Sequence, residues 1–255
     1  MSARPPIACI GTAGWQVPSS HRSMFADSGS HLERYASRFA AVEINSSFYR
    51  PHTARVYERW AAAVPGSFRF AVKCPKVITH ERRLRMARRP LEQFLGEVAG
   101  LGPKLGPILV QLPPSHEFEL RRVKRFLTLL RERHTGPVVC EPRHATWLSP
   151  AADRLLVDFS ISRVAADPAR APGFERPGGC TDLVYYRWHG SPRVYWSDYQ
   201  PEVLERHAQR LKAADAETWT VFDNTAAGAA AGNALTLVML LAAGAGCSHG
   251  PTSRG

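Results

Sequence analysis

Short apolar runs alternate with longer amphipathic ones along nearly the whole chain. Eight runs, at 7–11, 41–45, 68–73, 108–112, 138–141, 162–167, 183–188 and 219–224, have the length and character of buried strands. Between them, 31–39, 53–64, 90–100, 117–132, 148–159, 201–213 and 226–243 read as helices. In 117–132, Leu120, Val123, Phe126, Leu127 and Leu130 recur at helical spacing, with Arg121, Arg122, Lys124 and Arg125 between them. That basic face is most simply the solvated outer side of its helix. The sixth connection breaks the rhythm: "PARAPGFERPGG" is a Pro/Gly loop without a helical pattern.

Strands separated by helices are expected to lie parallel, because a parallel neighbour needs a long return connection. Eight of them in 255 residues fit an α/β fold of the TIM-type (β/α)8 barrel class. The expectation is a single barrel domain over 7–243, with an irregular connection replacing the sixth helix. Residues 1–6 form a lead and 244–255 a flexible tail. No Gly-x-Gly-x-x-Gly follows a strand, so a dinucleotide-binding sheet lacks its phosphate loop.

In such a barrel the ligand site forms at the C-terminal ends of the strands. The run 138–141 leads into "CEPRHATW", which places Glu141, Arg143 and His144 at a strand end with Trp147 just beyond. Other runs finish likewise: Glu43 and Asn45, Lys73, Gln111, Asp167, Arg187 and His189, Asp223 and Asn224. Seven of the eight runs thus end in polar or ionisable groups, which points to one shared mouth. Glu43 and Glu141 are candidate acid and base, with Lys73 to stabilise developing negative charge. Arg143, His144, Arg187 and His189 are suited to holding a phosphate, and His144 is counted with the catalytic candidates. The competing reading is structural: Glu141 and Arg143 as a strand-end ion pair, His144 as a helix cap. Trp15, Tyr49 and Trp147 are candidate aromatic walls for a ligand.

Charge extends the picture. Lys and Arg number 33 against 22 Asp and Glu, a net +11 that favours anionic partners, although the excess of Arg over Lys also fits a general compositional bias. The stretch 73–90, "KCPKVITHERRLRMARRP", carries seven basic residues against one acid and contains His80. It reads either as a phosphate- or nucleic-acid-binding loop or as a solvated one. Five cysteines without a CxxC argue against a disulfide framework or a structural zinc site. The longest apolar stretch, 234–243, is about half of the roughly 20 residues that a membrane span needs. A cytoplasmic protein without a membrane partner is expected.

The motifs "GTAGW" (11–15), "VEINSSFYR" (42–50), "FRFAVKCPKVITH" (68–80) and "LGPILVQLPP" (105–114) occur in order. They are followed by "EPRHATW" (141–147), "YYRWHG" (185–190) and "FDNTAAGAAAGNA" (222–234). The series resembles the domain of unknown function 72 family, the YecE-like proteins, over roughly 7–243. That resemblance implies a TIM-type (β/α)8 barrel and supplies no activity. Two departures stand out. "QVPSSHRSMF" lacks the aromatics that family members usually carry after the first Gly-Trp, and Asp223 stands where an Asn is frequent.

Three functions compete. The leading expectation is an enzyme acting on a phosphorylated sugar or nucleotide-derived ligand, with no cofactor. A metal-dependent phosphodiesterase would draw divalent-metal ligands from Glu43, Glu141, His144, Asp167, His189 and Asp223. A non-catalytic nucleic-acid-binding protein would use 73–90.

Overall fold

Periodicity of two in the strands and near 3.6 in the helices produces two apolar surfaces that must both be buried. The computed structural model describes residues 8–243. The chain runs β1 (Ala8–Thr12), α1 (His31–Ala36), β2 (Ala41–Ile44), α2 (Ala54–Ala62), β3 (Arg69–Lys73), α3 (Arg88–Val98), β4 (Leu105–Gln111) and α4 (Leu120–Arg131). It continues with β5 (Val138–Glu141), α5 (Pro150–Asp158), β6 (Ile161–Arg163), β7 (Ala165–Asp167), β8 (Gly178–Gly179), β9 (Leu183–Trp188), α6 (Pro201–Lys212), β10 (Glu217–Phe222) and α7 (Ala229–Ala243). Ile7, the lead and the tail lie outside the described residues.

The fold is mixed α/β with parallel strands in two sheets, ordered β1-β10-β9-β7 and β2-β3-β4-β5-β6-β8. The exception is the two-residue β8, which pairs antiparallel with β6. The run 162–167, expected as one strand, is two. The chain leaves one sheet after Arg163 and joins the other at Ala165, while the Val164 amide donates to the Cys140 carbonyl at 2.8 Å. On the other side a bridge between Ala13 and Glu43 links the two sheets. No helix occupies 168–182, as the Pro/Gly loop foretells.

The helices begin and end where local chemistry dictates. Ser30 and Glu33 form a reciprocal capping box at the start of α1, and Ser149 caps α5 with Pro150 in its first turn. The helix expected from 117 starts only at Leu120, and the one expected from 226 starts at Ala229, after Gly228 at φ 82°. On α4 the residues Val123, Phe126, Leu127 and Leu130 are buried. Each such side chain contributes about 1.5–3 kcal/mol by leaving water.

Alternation along the strands sorts the core into two clusters. Val42, Phe70, Val72, Ile108, Val110, Val138 and Cys140 pack with helix residues such as Leu91, Phe94 and Leu130. Cys9, Ala41, Ala71, Leu109, Val139, Val164, Tyr185, Trp219 and Val221 pack on one another instead. This second cluster draws on both sheets, and it positions the site. Two residues further along their strands stand Glu43, Lys73, Gln111, Glu141, Arg187 and Asp223, all buried.

Candidate active site

Tyr185, Arg187 and His189 follow one another at intervals of two, so strand geometry turns them to one side. Arg187 has no exposed surface and makes its contacts with carboxylates from other strands. Its Nε donates to Glu43 Oε2 at 3.0 Å and its Nη2 to Glu43 Oε1 at 2.8 Å. Nη1 donates to Glu141 Oε2 at 3.3 Å, and Nη2 lies 3.0 Å from Asp223 Oδ2. One guanidinium therefore neutralises parts of three buried carboxylates, a role suited to its planar fork of donors.

The remaining lone pairs are also used. Tyr185 donates its hydroxyl to Glu43 Oε2 at 2.9 Å. Gln111, in direct register with Glu141 across the sheet, donates to Glu141 Oε2 at 2.8 Å. His189 lies between Glu141 Oε1 (3.1 Å) and Asp223 Oδ2 (3.0 Å). Arg143 Nε donates to Glu141 Oε1 at 3.2 Å. Burial alone would raise the Glu141 carboxyl, but Arg143, Arg187 and His189 outweigh it and hold the group well below the usual carboxylate range. Burial opposes ionisation of Asp223 as well, and Arg187 with His189 lowers it nonetheless.

Lys73 differs from its neighbours. It is 6% exposed, its Nζ lies 4.1 Å from the centre of the Phe48 ring, and no carboxylate of the described residues comes within ion-pairing distance. Burial and the nearby Arg187 lower its pKa to about 8, against the pull of Glu43, Glu141 and Asp223. His80 packs edge-on to the same Phe48 ring at 4.9 Å. Burial, then Lys73 and Arg143, push His80 down to about 4, so it is neutral at physiological pH. Beside the cluster, Glu141, Arg143, His189 and Tyr195 line a narrow recess closed by Phe174 and Arg170 of the irregular connection.

Several expected site residues make their contacts outside the Arg187 network. His144 is a cap: its Nδ1 accepts from the Thr146 amide, and its side chain is 32% exposed near Glu117. Trp147 is 1% exposed and donates its Nε1 to the His116 carbonyl at 2.9 Å, so it fills core and forms no ligand wall. Asp167 accepts from the Tyr199 hydroxyl at 2.8 Å. Asn224 donates to Ser197 O and Asn233 Oδ1, tying a loop to α7. Trp15 packs edge-on to Trp60 at 5.0 Å, and Tyr49 is 66% exposed against the Phe48 ring. Asn45 opens the turn after β2 and keeps a buried Oδ1 without a partner.

Tyr185 and Phe174 were not expected in the site. The two-residue spacing of Tyr185 before Arg187 was the available signal; Phe174, in an irregular loop, offered none. The donor set also fits a metal poorly. Among the described residues no three His, Cys, Asp or Glu side chains are arranged to hold an ion. Arg187 already takes the place among Glu43, Glu141 and Asp223 that a cation would need, and His144 and Asp167 are directed elsewhere.

The model of the family described as "Protein of unknown function DUF72" matches residues 9–254. The UPF0759 protein YunF of Bacillus subtilis is 26% identical over 264 residues, covering 91% of this chain and 94% of that protein. The UPF0759 protein YecE of Escherichia coli is 33% identical over 106 residues, 42% of this chain and 38% of YecE. The crystal structure of a DUF72 family protein from Enterococcus faecalis superposes with a TM-score of 0.77 at 22% identity, covering 98% of this chain and 100% of that one.

Proposed function

Because the chain belongs to the DUF72 family, whose name carries no reaction, we propose from its own geometry that it is an enzyme acting on a small phosphorylated ligand at the strand ends. The reading begins with architecture. The Ala13–Glu43 bridge on one side and the crossing at Val164 on the other support treating the two sheets as arcs of one (β/α)8 barrel. The inner apolar cluster is then the barrel's filling and the Arg187 network its polar lid.

Within the network, Glu43 and Glu141 have every oxygen engaged, so their part is to hold Arg187, His189 and Arg143 in place. The groups with capacity to act lie at its margin. Lys73 stabilises a developing anion or donates a proton. Neutral His80 accepts one. Arg143 binds the phosphate on the recess side. The observation that carries this reading is Lys73 itself: a buried amine beside three carboxylates, none of which pairs with it. A buried ammonium without a partner is costly, and such a cost persists where a ligand supplies the partner.

The test is a thermal-shift panel of sugar phosphates and nucleotides, each beside its unphosphorylated counterpart. At least one phosphorylated compound should raise Tm, and Lys73→Met or Arg143→Met should remove that shift while circular dichroism stays unchanged. Equal stabilisation by the unphosphorylated partner, or a panel without response, counts against the proposal.

A further inference from the structure

A second cationic surface lies outside the Arg187 network. The chain after β3 turns through residues 82–87, where Arg83, Leu84 and Met86 adopt φ of 48°, 65° and 44°. Left-handed backbone at a non-glycine residue costs roughly 1–2 kcal/mol, and tertiary contacts retain it here. Leu84 is 5% exposed and its amide donates to the Ile78 carbonyl at 2.9 Å, while Arg83 donates to Ser115 Oγ at 3.1 Å. With Leu84 anchored inward, Arg82, Arg83 and Arg85 are exposed.

The sequence gives no reason to connect this loop with α4. The structure puts them side by side. Arg82, Arg83 and Arg85 line one depression, and Arg121, Lys124 and Arg125 of α4 line another; Met86 belongs to both. Neighbouring cations are partly neutralised, Arg122 by Glu119 and Arg88 by Glu92. None of those six has a carboxylate within 4.0 Å among the described residues. The two acids that share this lining, Glu81 and Glu132, are held by Lys76 and Arg133. The six cations are left without carboxylate partners, which is unfavourable in the free protein and is relieved by a polyanion that replaces their condensed counter-ions.

We propose that these two adjoining depressions together form a groove that binds the phosphate backbone of double-stranded nucleic acid without reading its sequence. The choice of duplex follows from the lining. Single strands are gripped by aromatic side chains on which bases stack, and the aromatic residue lining the groove, Phe126, is 1% exposed. An anionic bilayer would call for an apolar wedge, whereas Met86, at 82% exposure, is the single large apolar side chain exposed there. The loop that carries Arg82, Arg83 and Arg85 follows β3, whose last residue is Lys73.

The test is fluorescence anisotropy with a labelled duplex of about 20 base pairs over a salt series. Binding should weaken steeply with salt, because each phosphate contact contributes about −0.9 to the slope of log K against log salt. The variant Arg85→Gln/Arg121→Gln/Lys124→Gln should lose tenfold or more in affinity at moderate salt and reduce the slope by about 2–3. A control removing three charges elsewhere, Arg55→Gln/Arg59→Gln/Arg206→Gln, should bind nearly as the parent does. Equal losses in the two variants would assign binding to net charge and overturn the groove. So would absence of duplex binding, tighter binding of a single strand of the same length, or binding confined to anionic vesicles.

Discussion

Arg187 concentrates the energetics of the site. Taking a guanidinium and three carboxylates out of water is expensive, and the network holds because nearly every donor finds an acceptor. Removing the cation alone leaves Glu43, Glu141 and Asp223 facing one another. Arg187→Met is therefore expected to lower unfolding free energy by about 3–5 kcal/mol, read from urea denaturation; a loss below ~1 kcal/mol would contradict the assigned role. Protonation gives a second check. Glu141 and Asp223 titrate below their ordinary values of 4.5 and 3.8, so their stabilisation is complete above those values and declines as pH falls through the folded ones. The urea midpoint should drop on acidification below about 4.5, and Asp223→Asn should flatten part of that slope. Lys73 acts with the same sign in a higher pH window. Its folded pKa of about 8 lies below the ordinary 10.5, so the unfolded chain holds more protons between these values and stability rises with pH across them. Labelling with an amine-reactive ester, followed by mass spectrometry, should show Lys73 becoming reactive near pH 8, well before surface lysines.

At the scale of elements, the contacts that hold strand to strand and loop to helix can be probed singly. Gly11 in β1 faces the Ala41 carbonyl oxygen of β2 so closely that a Cβ would collide with main chain. Gly11→Ala is expected to cost about 1–3 kcal/mol or more in thermal or urea unfolding, because the clash falls where the two sheets meet. An unchanged midpoint would show that β1 and β2 can separate freely there. His144→Ala removes the cap on the turn 145–148 and should cost about 1 kcal/mol with ligand affinity unaltered. The cap reading of His144 was open in the sequence, but no local signal could choose it over the site. The choice depends on where Thr146 and Glu117 stand.

Across the whole molecule, the inner cluster takes residues from both sheets, so neither sheet buries its apolar surface alone. A single cooperative unfolding transition is expected by fluorescence and circular dichroism together. Limited proteolysis should cut first within 168–177, where the chain has neither helix nor strand. Two stable fragments divided near the middle would show independent units.

Local chemistry alone determined the alternation of strands and helices and the absence of a helix in 168–182, but not the division of 162–167 into β6 and β7. Periodicity and turn residues act over a few positions and need no tertiary partner. That is why Glu43, Lys73, Gln111, Glu141, Arg187 and Asp223 could be placed at strand ends from the pattern alone. What each does there was decided by contacts between distant segments. Arg187 reaches Glu43 across 144 positions of sequence and Glu141 across 46, and those bonds engage oxygens of the candidate acid and base. Trp147 became core because His116 offers its carbonyl 31 positions away, and Lys73 remained unpaired because Arg187 engages the carboxylates first. Such pairings depend on how the strands are arranged around the core, which no short stretch of sequence encodes.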